Sequence, residues 1–249
     1  MEISNQIIIV TGGAKGIGKG IAKELIRNGA KVVVLDIDKI AIETLKKEED
    51  TVYCLACDIT NEKEVASTID NVQQTFGRID CLVNNAGVIH NEPLINLFSK
   101  TDKKHSLDSW ERVIRLNLTS VFLVTLHVVE KMVAHRIKGV VVNISSICAK
   151  GNTGQSAYSA SKAGVNALTT TWAKELGSFG IRAVGVSPGF IDTESTKNSM
   201  KEELIDKWKK KIPLKKLGKV EHIASAVLFA LQNPYLTGKV LEIDGGLTF

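Results

Sequence analysis

The sequence predicts an α/β fold: one domain, residues 1–249, built on a doubly wound parallel sheet of about seven strands with helices on both faces. Two observations predict it. Seven short, β-branched apolar runs alternate with six helical patterns along the chain. A glycine-rich turn, Thr11-Gly-Gly-Ala-Lys-Gly-Ile-Gly18, joins the first run to the first helical pattern.

The apolar runs lie at 7–10, 31–35, 52–56, 80–83, 139–144, 181–186 and 239–243. Each is apolar on both faces, as strands of a covered parallel sheet must be. The helical patterns lie between them, at 17–28, 40–48, 62–76, 108–135, 157–178 and 221–232. Strand followed by helix, repeated, implies right-handed crossovers and parallel pairing. Two segments break the rhythm, 89–107 and 194–218. Ligands of an open α/β sheet lie beyond the carboxyl ends of its strands. Both segments are therefore expected to wall the substrate site, with a lid spanning about 190–218.

Composition narrows the partners. The formal net charge is only +5, and aromatic residues make up 5% of the chain. Nucleic-acid binding wants a concentrated basic stripe with aromatics, so no nucleic acid is expected. No apolar run reaches the length of a membrane span, so no membrane is expected either. The N-terminal Met-Glu-Ile-Ser-Asn-Gln lacks a basic region and an apolar core, which predicts no signal peptide. Cys54 and Cys57 form C-x-x-C inside a strand-like run, where residues three apart point to opposite faces. With no second ligand pair, the four cysteines are read as reduced core thiols, no metal is expected, and the compartment is expected to be cytoplasmic.

The glycine turn sits where a dinucleotide motif must, after a strand and at the start of a helix. Gly12 allows the tight turn, Gly16 lets the backbone approach a pyrophosphate, and Gly18 lets the helix pack close. The helix N-terminus offers unsatisfied N–H groups to the phosphates. Asp36 ends the second strand, eighteen residues after Gly18. Its carboxylate can accept from both ribose hydroxyls and would repel a 2′-phosphate. No arginine neighbours it, although Lys39 is close, so NAD is expected over NADP. Asp58, after the third strand, either caps the next segment or touches the adenine amino group. Lys15 and Ile17 in the turn, Ile37 beside Asp36, and Ile59 beside Asp58 are expected to line the same groove.

Tyr158 and Lys162 are four residues apart, on one face if the segment is helical. A phenol is a poor base at neutral pH, and a nearby ammonium favours the phenolate. Ser145 and Ser146 follow the fifth strand. One of them can hold a substrate oxygen while Tyr158 moves the proton.

These residues resemble the motifs of the classical short-chain dehydrogenase/reductases. Thr11-Gly-x-x-x-Gly-x-Gly18, Asn84-Asn-Ala-Gly87, Asn117, Asn143-Ile-Ser-Ser146, Tyr158-x-x-x-Lys162 and Pro188-Gly189 occur in that family's order over essentially the whole chain. Within it, 154–164 and 188–193 are most similar to the 3-oxoacyl-[acyl-carrier-protein] reductase branch. The resemblance implies a Rossmann-type fold with Tyr158 as acid/base. It implies that Lys162 binds the nicotinamide ribose and that Asn117 holds a relay water. Asn85, Ala86 and Gly87 would line the cofactor groove. Pro188, Gly189, Ile191 and Thr193 would form the nicotinamide wall. It also implies a homotetramer.

Three departures stand out. The family's usual serine-to-tyrosine spacing selects Ser145, whereas alignment from the strand selects Ser146. Ser146 is preferred, because loops absorb deletions more easily than strand ends do. The 89–107 segment is longer than in typical carrier-protein reductases. Phe179 stands where those enzymes commonly carry an arginine. The function expected is NAD(H)-dependent interconversion of a secondary alcohol and a ketone. The alternatives are an NADPH-dependent 3-oxoacyl-[acyl-carrier-protein] reductase acting on an acyl thioester and an inactive dinucleotide-binding regulator. The lid combines Met200, Leu204, Ile205 and Trp208 with polar residues; Leu204 and Trp208, four apart, share a helical face that either closes over an apolar substrate or only packs on the core. The lysines between 207 and 216 form either a solvated face or a patch for an anionic carrier.

Overall fold

Seven strands pair in parallel in the order β3-β2-β1-β4-β5-β6-β7. The computed structural model describes residues 2–98, 103–194, 196 and 202–247. The strands are β1 (Ile7–Thr11), β2 (Lys31–Asp36), β3 (Tyr53–Ala56), β4 (Cys81–Asn84), β5 (Val140–Ile144), β6 (Arg182–Pro188) and β7 (Val240–Ile243). The helices are α1 (Gly16–Arg27), α2 (Lys39–Glu48), α3 (Glu62–Phe76), α4 (Leu107–Ile114), α5 (Ser120–Ala134), α6 (Ser156–Leu176), α7 (Glu202–Lys211) and α8 (Val220–Gln232). Every expected strand and helix is present, and α7 falls inside the irregular 194–218 segment.

Strand periodicity divides the core into two layers. Ile8 and Val10 face one side with Ile21 and Leu25 of α1 and Val227 and Leu231 of α8. Ile7 and Ile9 face the other with Ile69 of α3 and Val124, Val128 and Met132 of α5. Cys54 packs in the first layer and Cys57 in the second, so the C-x-x-C pair straddles the sheet. All four cysteines are free and buried. At the crossing of α1 and α8, a Cβ on Gly20 would lie 2.0 Å from Val220 Cγ1, so only glycine fits.

The pattern at 108–135 is a single helical run in the structure, Leu107–Ala134, with a change of hydrogen-bond register inside it. A π-helical turn, Arg115–Thr119, separates α4 from α5. An extra residue in a helix leaves the apolar spacing on either side intact, which hides it from a periodicity reading. Together Leu107–Ala134 are long and apolar enough, by length and composition, to cross a bilayer. The charged residues of α4 conceal this from a search for an unbroken apolar run. In the fold, α5 packs on α3 and α4 packs on α6.

Beneath the site a buried polar chain ties four elements together. Asn84 Nδ2 donates to Thr125 Oγ1 and to Asn143 Oδ1, each at 2.9 Å. Asn143 Nδ2 donates to Thr169 Oγ1 at 2.9 Å. Buried polar groups left unpaired are costly, so this chain holds β4 and β5 in register with α5 and α6. Asn84→Ala is expected to destabilise the fold by about 2–4 kcal/mol in urea unfolding, because it orphans two buried partners. A loss below about 0.5 kcal/mol would show that the chain does not support the sheet.

Candidate active site

The strand order reverses between β1 and β4, and the candidate site lies beyond the carboxyl ends there. Gly12 turns the chain with φ +60°, and its N–H donates to the Leu35 carbonyl at 2.7 Å. A Cβ on Gly12 would lie 2.8 Å from Ala86 Cα. A Cβ on Gly18 would lie 2.1 Å from the Gly12 carbonyl oxygen and 2.4 Å from Asn85 Nδ2. Gly16 has φ +53° and open space where its Cβ would stand. No side chain caps the N-terminus of α1. That leaves a bare, positively polarised helix end behind a glycine cradle, which fits the phosphates of a dinucleotide.

Two side chains hold the cradle. Thr11 Oγ1 accepts from the N–H groups of Asn85 at 3.0 Å and Ala86 at 3.1 Å. Asn85 Nδ2 donates to the carbonyls of Thr11 and Gly12, both at 3.0 Å. Asn85 therefore acts on the turn rather than presenting its amide to the groove. Sequence reasoning assigned Thr11 no role. Its place at the end of β1, before the glycines, was the available signal.

Asp36 is half-buried beside the cradle. Its Oδ2 accepts from Ala14 N–H at 3.0 Å and its Oδ1 from Asp38 N–H at 3.0 Å. Each carboxylate oxygen keeps a lone pair for a further donor. Ile37 stands beside it, 68% exposed, as an apolar shelf. Lys15 is exposed and pairs with Asp38, which holds the Asp38 carboxyl below its ordinary range. Asp58 Oδ1 accepts from Thr60 N–H at 2.9 Å and Thr60 Oγ1 at 2.7 Å, so it caps its own turn. Ile59 is buried in the core layer below.

Tyr158, Lys162, Asn117 and both serines are buried and lie together at the ends of β4 and β5. The Ser146 hydroxyl accepts from Cys148 N–H at 3.2 Å and is close enough to the Tyr158 phenol to lower it. Ser145 Oγ instead reaches the Lys162 carbonyl at 3.4 Å. Lys162 Nζ donates to the Ile144 carbonyl at 2.8 Å and stands 6.0 Å from the Tyr158 ring centroid. Burial pushes the Tyr158 phenol up to about 12, against a lowering by Ser146. Burial alone brings Lys162 down to about 8. Lys162 does not offset this rise in the protein alone; the expected lowering of the phenol also counted on a positive nicotinamide ring.

Asn117 lies in the π turn. Its Oδ1 accepts from Val88 N–H at 2.9 Å, and its Nδ2 donates to the Val88 carbonyl at 2.8 Å. Its amide therefore clasps the strand end after β4. Gly87 lies between this clasp and the lysine: a Cβ there would be 3.0 Å from Asn117 Oδ1 and 3.7 Å from Lys162 Nζ.

The opposite wall follows β6. Pro188 and Ile191 are buried, and a Cβ on Gly189 would lie 2.6 Å from Asp244 Cα. Thr193 Oγ1 accepts from Thr196 N–H at 3.2 Å. Ile191 pairs with Gly218, closing the base of the expected lid. Phe190 and Trp208 stack at 4.6 Å, and both pack on the cluster that contains Tyr158 and Ile212. Ile205 is half-buried, and Leu204 is 41% exposed. Met200 lies outside the described residues.

This sheet, with a glycine cradle at its switch point and a tyrosine, lysine and serine beside it, defines an NAD(P)-dependent oxidoreductase acting on CH–OH groups. A family described as Enoyl-(Acyl carrier protein) reductase matches residues 12–248. The chain belongs to the short-chain dehydrogenase/reductases. It is 38% identical to the 3-oxoacyl-[acyl-carrier-protein] reductase FabG of Thermotoga maritima, with 99% of each chain covered. It is 36% identical to sorbitol-6-phosphate 2-dehydrogenase of Klebsiella pneumoniae, covering 100% of this chain and 98% of the relative. The crystal structure of gox2181 superposes with a TM-score of 0.88 at 31% identity, covering 98% of this chain and 95% of that one.

The buried lysine carries a pH signature. Between about pH 8 and the ordinary lysine range, the unfolded chain holds a proton that folded Lys162 has released, so stability rises with pH there. In Lys162→Met this rise is expected to disappear, seen as diverging urea-unfolding profiles between pH 7 and 10. Parallel profiles would show that Lys162 is not desolvated.

Proposed function

We propose that the protein interconverts a secondary alcohol and a ketone with NAD(H). The observation that carries this reading is the burial together of Ser146, Tyr158 and Lys162, with Lys162 Nζ 6.0 Å from the Tyr158 ring centroid. The cradle, the bare end of α1 and the carboxylate of Asp36 would hold the dinucleotide, whose nicotinamide supplies or accepts the hydride. Lys15, Ile17 and Ile37 would flank its adenosine half, with Asp58 and Ile59 at the adenine edge. Ala86 and Gly87 would line the groove towards Pro188, Gly189, Ile191 and Thr193.

Ser146 holds the substrate oxygen, and Tyr158 gives it a proton on reduction or takes one on oxidation. A phenol near pKa 12 is a ready hydrogen-bond donor and a weak base. Oxidation therefore needs positive charge in the site, which Lys162, still mostly protonated at neutral pH, supplies. Asn117 fixes the Val88 strand end. In a cytoplasmic setting the four unbridged, buried cysteines stay reduced. We place this chain in a homotetramer, for which the exposed Phe122 and Leu126 of α5 offer apolar surface.

A second reading has its own support. Among the relatives, several are named 3-oxoacyl-[acyl-carrier-protein] reductase, and the helix α7 is rich in exposed lysine. An NADPH-dependent reductase of an acyl thioester would use that patch for an anionic carrier. The lid at 190–218 serves either reading. The two readings separate in one panel of ketones and thioesters followed at the NADH and NADPH absorbance. An inactive dinucleotide-binding regulator would show no turnover with any of them.

Three expectations test the residues. The enzyme is expected to prefer NAD(H) by at least about ten-fold in kcat/KM, with Asp36→Ala narrowing the gap, because the carboxylate repels a 2′-phosphate. Equal efficiency with NADPH would overturn the cofactor assignment. Tyr158→Phe is expected to remove most turnover while NADH binding persists. Ser146→Ala is expected to cost about a hundred-fold and Ser145→Ala little. More than a tenth of the activity left in Tyr158→Phe, or the reverse order for the serines, would refute the arrangement.

A further inference from the structure

Away from this chemistry, the long segment between β4 and α4 gathers two imidazoles around one carboxylate. His90 Nε2 lies 2.9 Å from Glu92 Oε2, and His105 Nδ1 lies 3.6 Å from the same oxygen. One donor atom from each residue falls within 4.8 Å of the others. Donors bound at 2.0–2.2 Å to a tetrahedral ion stand about 3.4 Å apart. The three groups are therefore close to a ligand spacing, and small side-chain shifts would complete it.

The surroundings are those of ligands held in place. Glu92 Oε1 accepts from Ser106 N–H at 2.8 Å, which leaves Oε2 facing the histidines. His105 Nδ1 lies 2.9 Å from the Ser106 carbonyl. A carbonyl only accepts, so with this contact Nδ1 carries the proton; to ligate through Nδ1, the nitrogen that faces Glu92, the ring must take the other tautomer, with its proton on Nε2. His105 is 93% buried by side chain, and this Nε2 has no hydrogen-bond partner.

We infer that His90, Glu92 and His105 form a binding site for a divalent transition ion of the zinc class. Two imidazoles and a carboxylate are a borderline donor set, and the fourth position falls to water. The ion would clip the segment to itself next to the site. The segment is already docked there: Glu92 N–H donates to the Gly154 carbonyl at 2.7 Å, and Gln155 Nε2 donates to Asn91 Oδ1 at 2.7 Å. Ser106 caps α4 through its hydroxyl to Ser109 N–H. The clip would thus join the start of α4 to the turn that precedes Tyr158.

The test uses full-length protein stripped with chelator and titrated with Co²⁺ and, separately, Zn²⁺. One equivalent of Co²⁺ per chain is expected to give visible ligand-field bands, with displacement by Zn²⁺ and a raised Tm. His90→Ala and Glu92→Gln are each expected to weaken binding at least about ten-fold, since each removes one of three ligands. His135→Ala, on an exposed histidine elsewhere, is expected to change nothing. His105→Ala serves as a third variant if its circular dichroism matches the wild type. No saturable binding below about 1 mM would overturn the site. So would binding that either His90→Ala or Glu92→Gln leaves within three-fold of the wild type.

Discussion

The whole site depends on how closely α1 starts against β1. Gly18 stands where a methyl group would lie 2.1 Å from the Gly12 carbonyl oxygen. No side chain tolerates that approach, so the cradle exists only because the atom is missing. Asn85 then holds both carbonyls of the turn at 3.0 Å, which ties the cradle to the end of β4. The next residues, Gly87 and Val88, pass the geometry on to Lys162 and Asn117. A constraint a few ångströms wide thus sets the spacing between a phosphate cradle and a proton-transfer group.

Around Tyr158 the protein withholds what the chemistry needs. Burial raises the phenol and lowers the ammonium, so each group resists its charged form. The lysine spends its hydrogen bond on the Ile144 carbonyl. Such a site keeps the phenol protonated, while the lysine, at about 8, is still mostly charged at neutral pH. Holding that buried ammonium charged costs stability in the range where it keeps its proton.

The fold was largely legible because the sheet is buried on both sides. Runs such as Ile7–Thr11 and Lys31–Asp36 have no polar face to blur their ends. Tyr158 and Lys162 could be placed together because helical spacing is local. Contacts made across the sequence were not legible. The Asn84–Asn143 pair spans 59 positions. Lys162 takes its partner from a backbone carbonyl, which carries no residue signature. The π turn at Asn117 is silent because apolar spacing survives on both sides of it. Trp208 could be assigned to a helical face, but its stack on Phe190 depends on where β6 ends.

That π turn has a consequence for how this stretch tolerates change. Each helical residue advances the chain by about 100°, so one residue too many rotates everything that follows. Val113 before the turn faces the cluster around Tyr158, while Val124, Val128 and Met132 after it pack on the sheet beside α3. Both alignments hold only at the present residue count. Substitutions within Arg115–Thr119 change chemistry locally, but a single deletion would rephase all 15 residues of α5. Here the fold constrains the length of the chain, independently of which amino acids fill it.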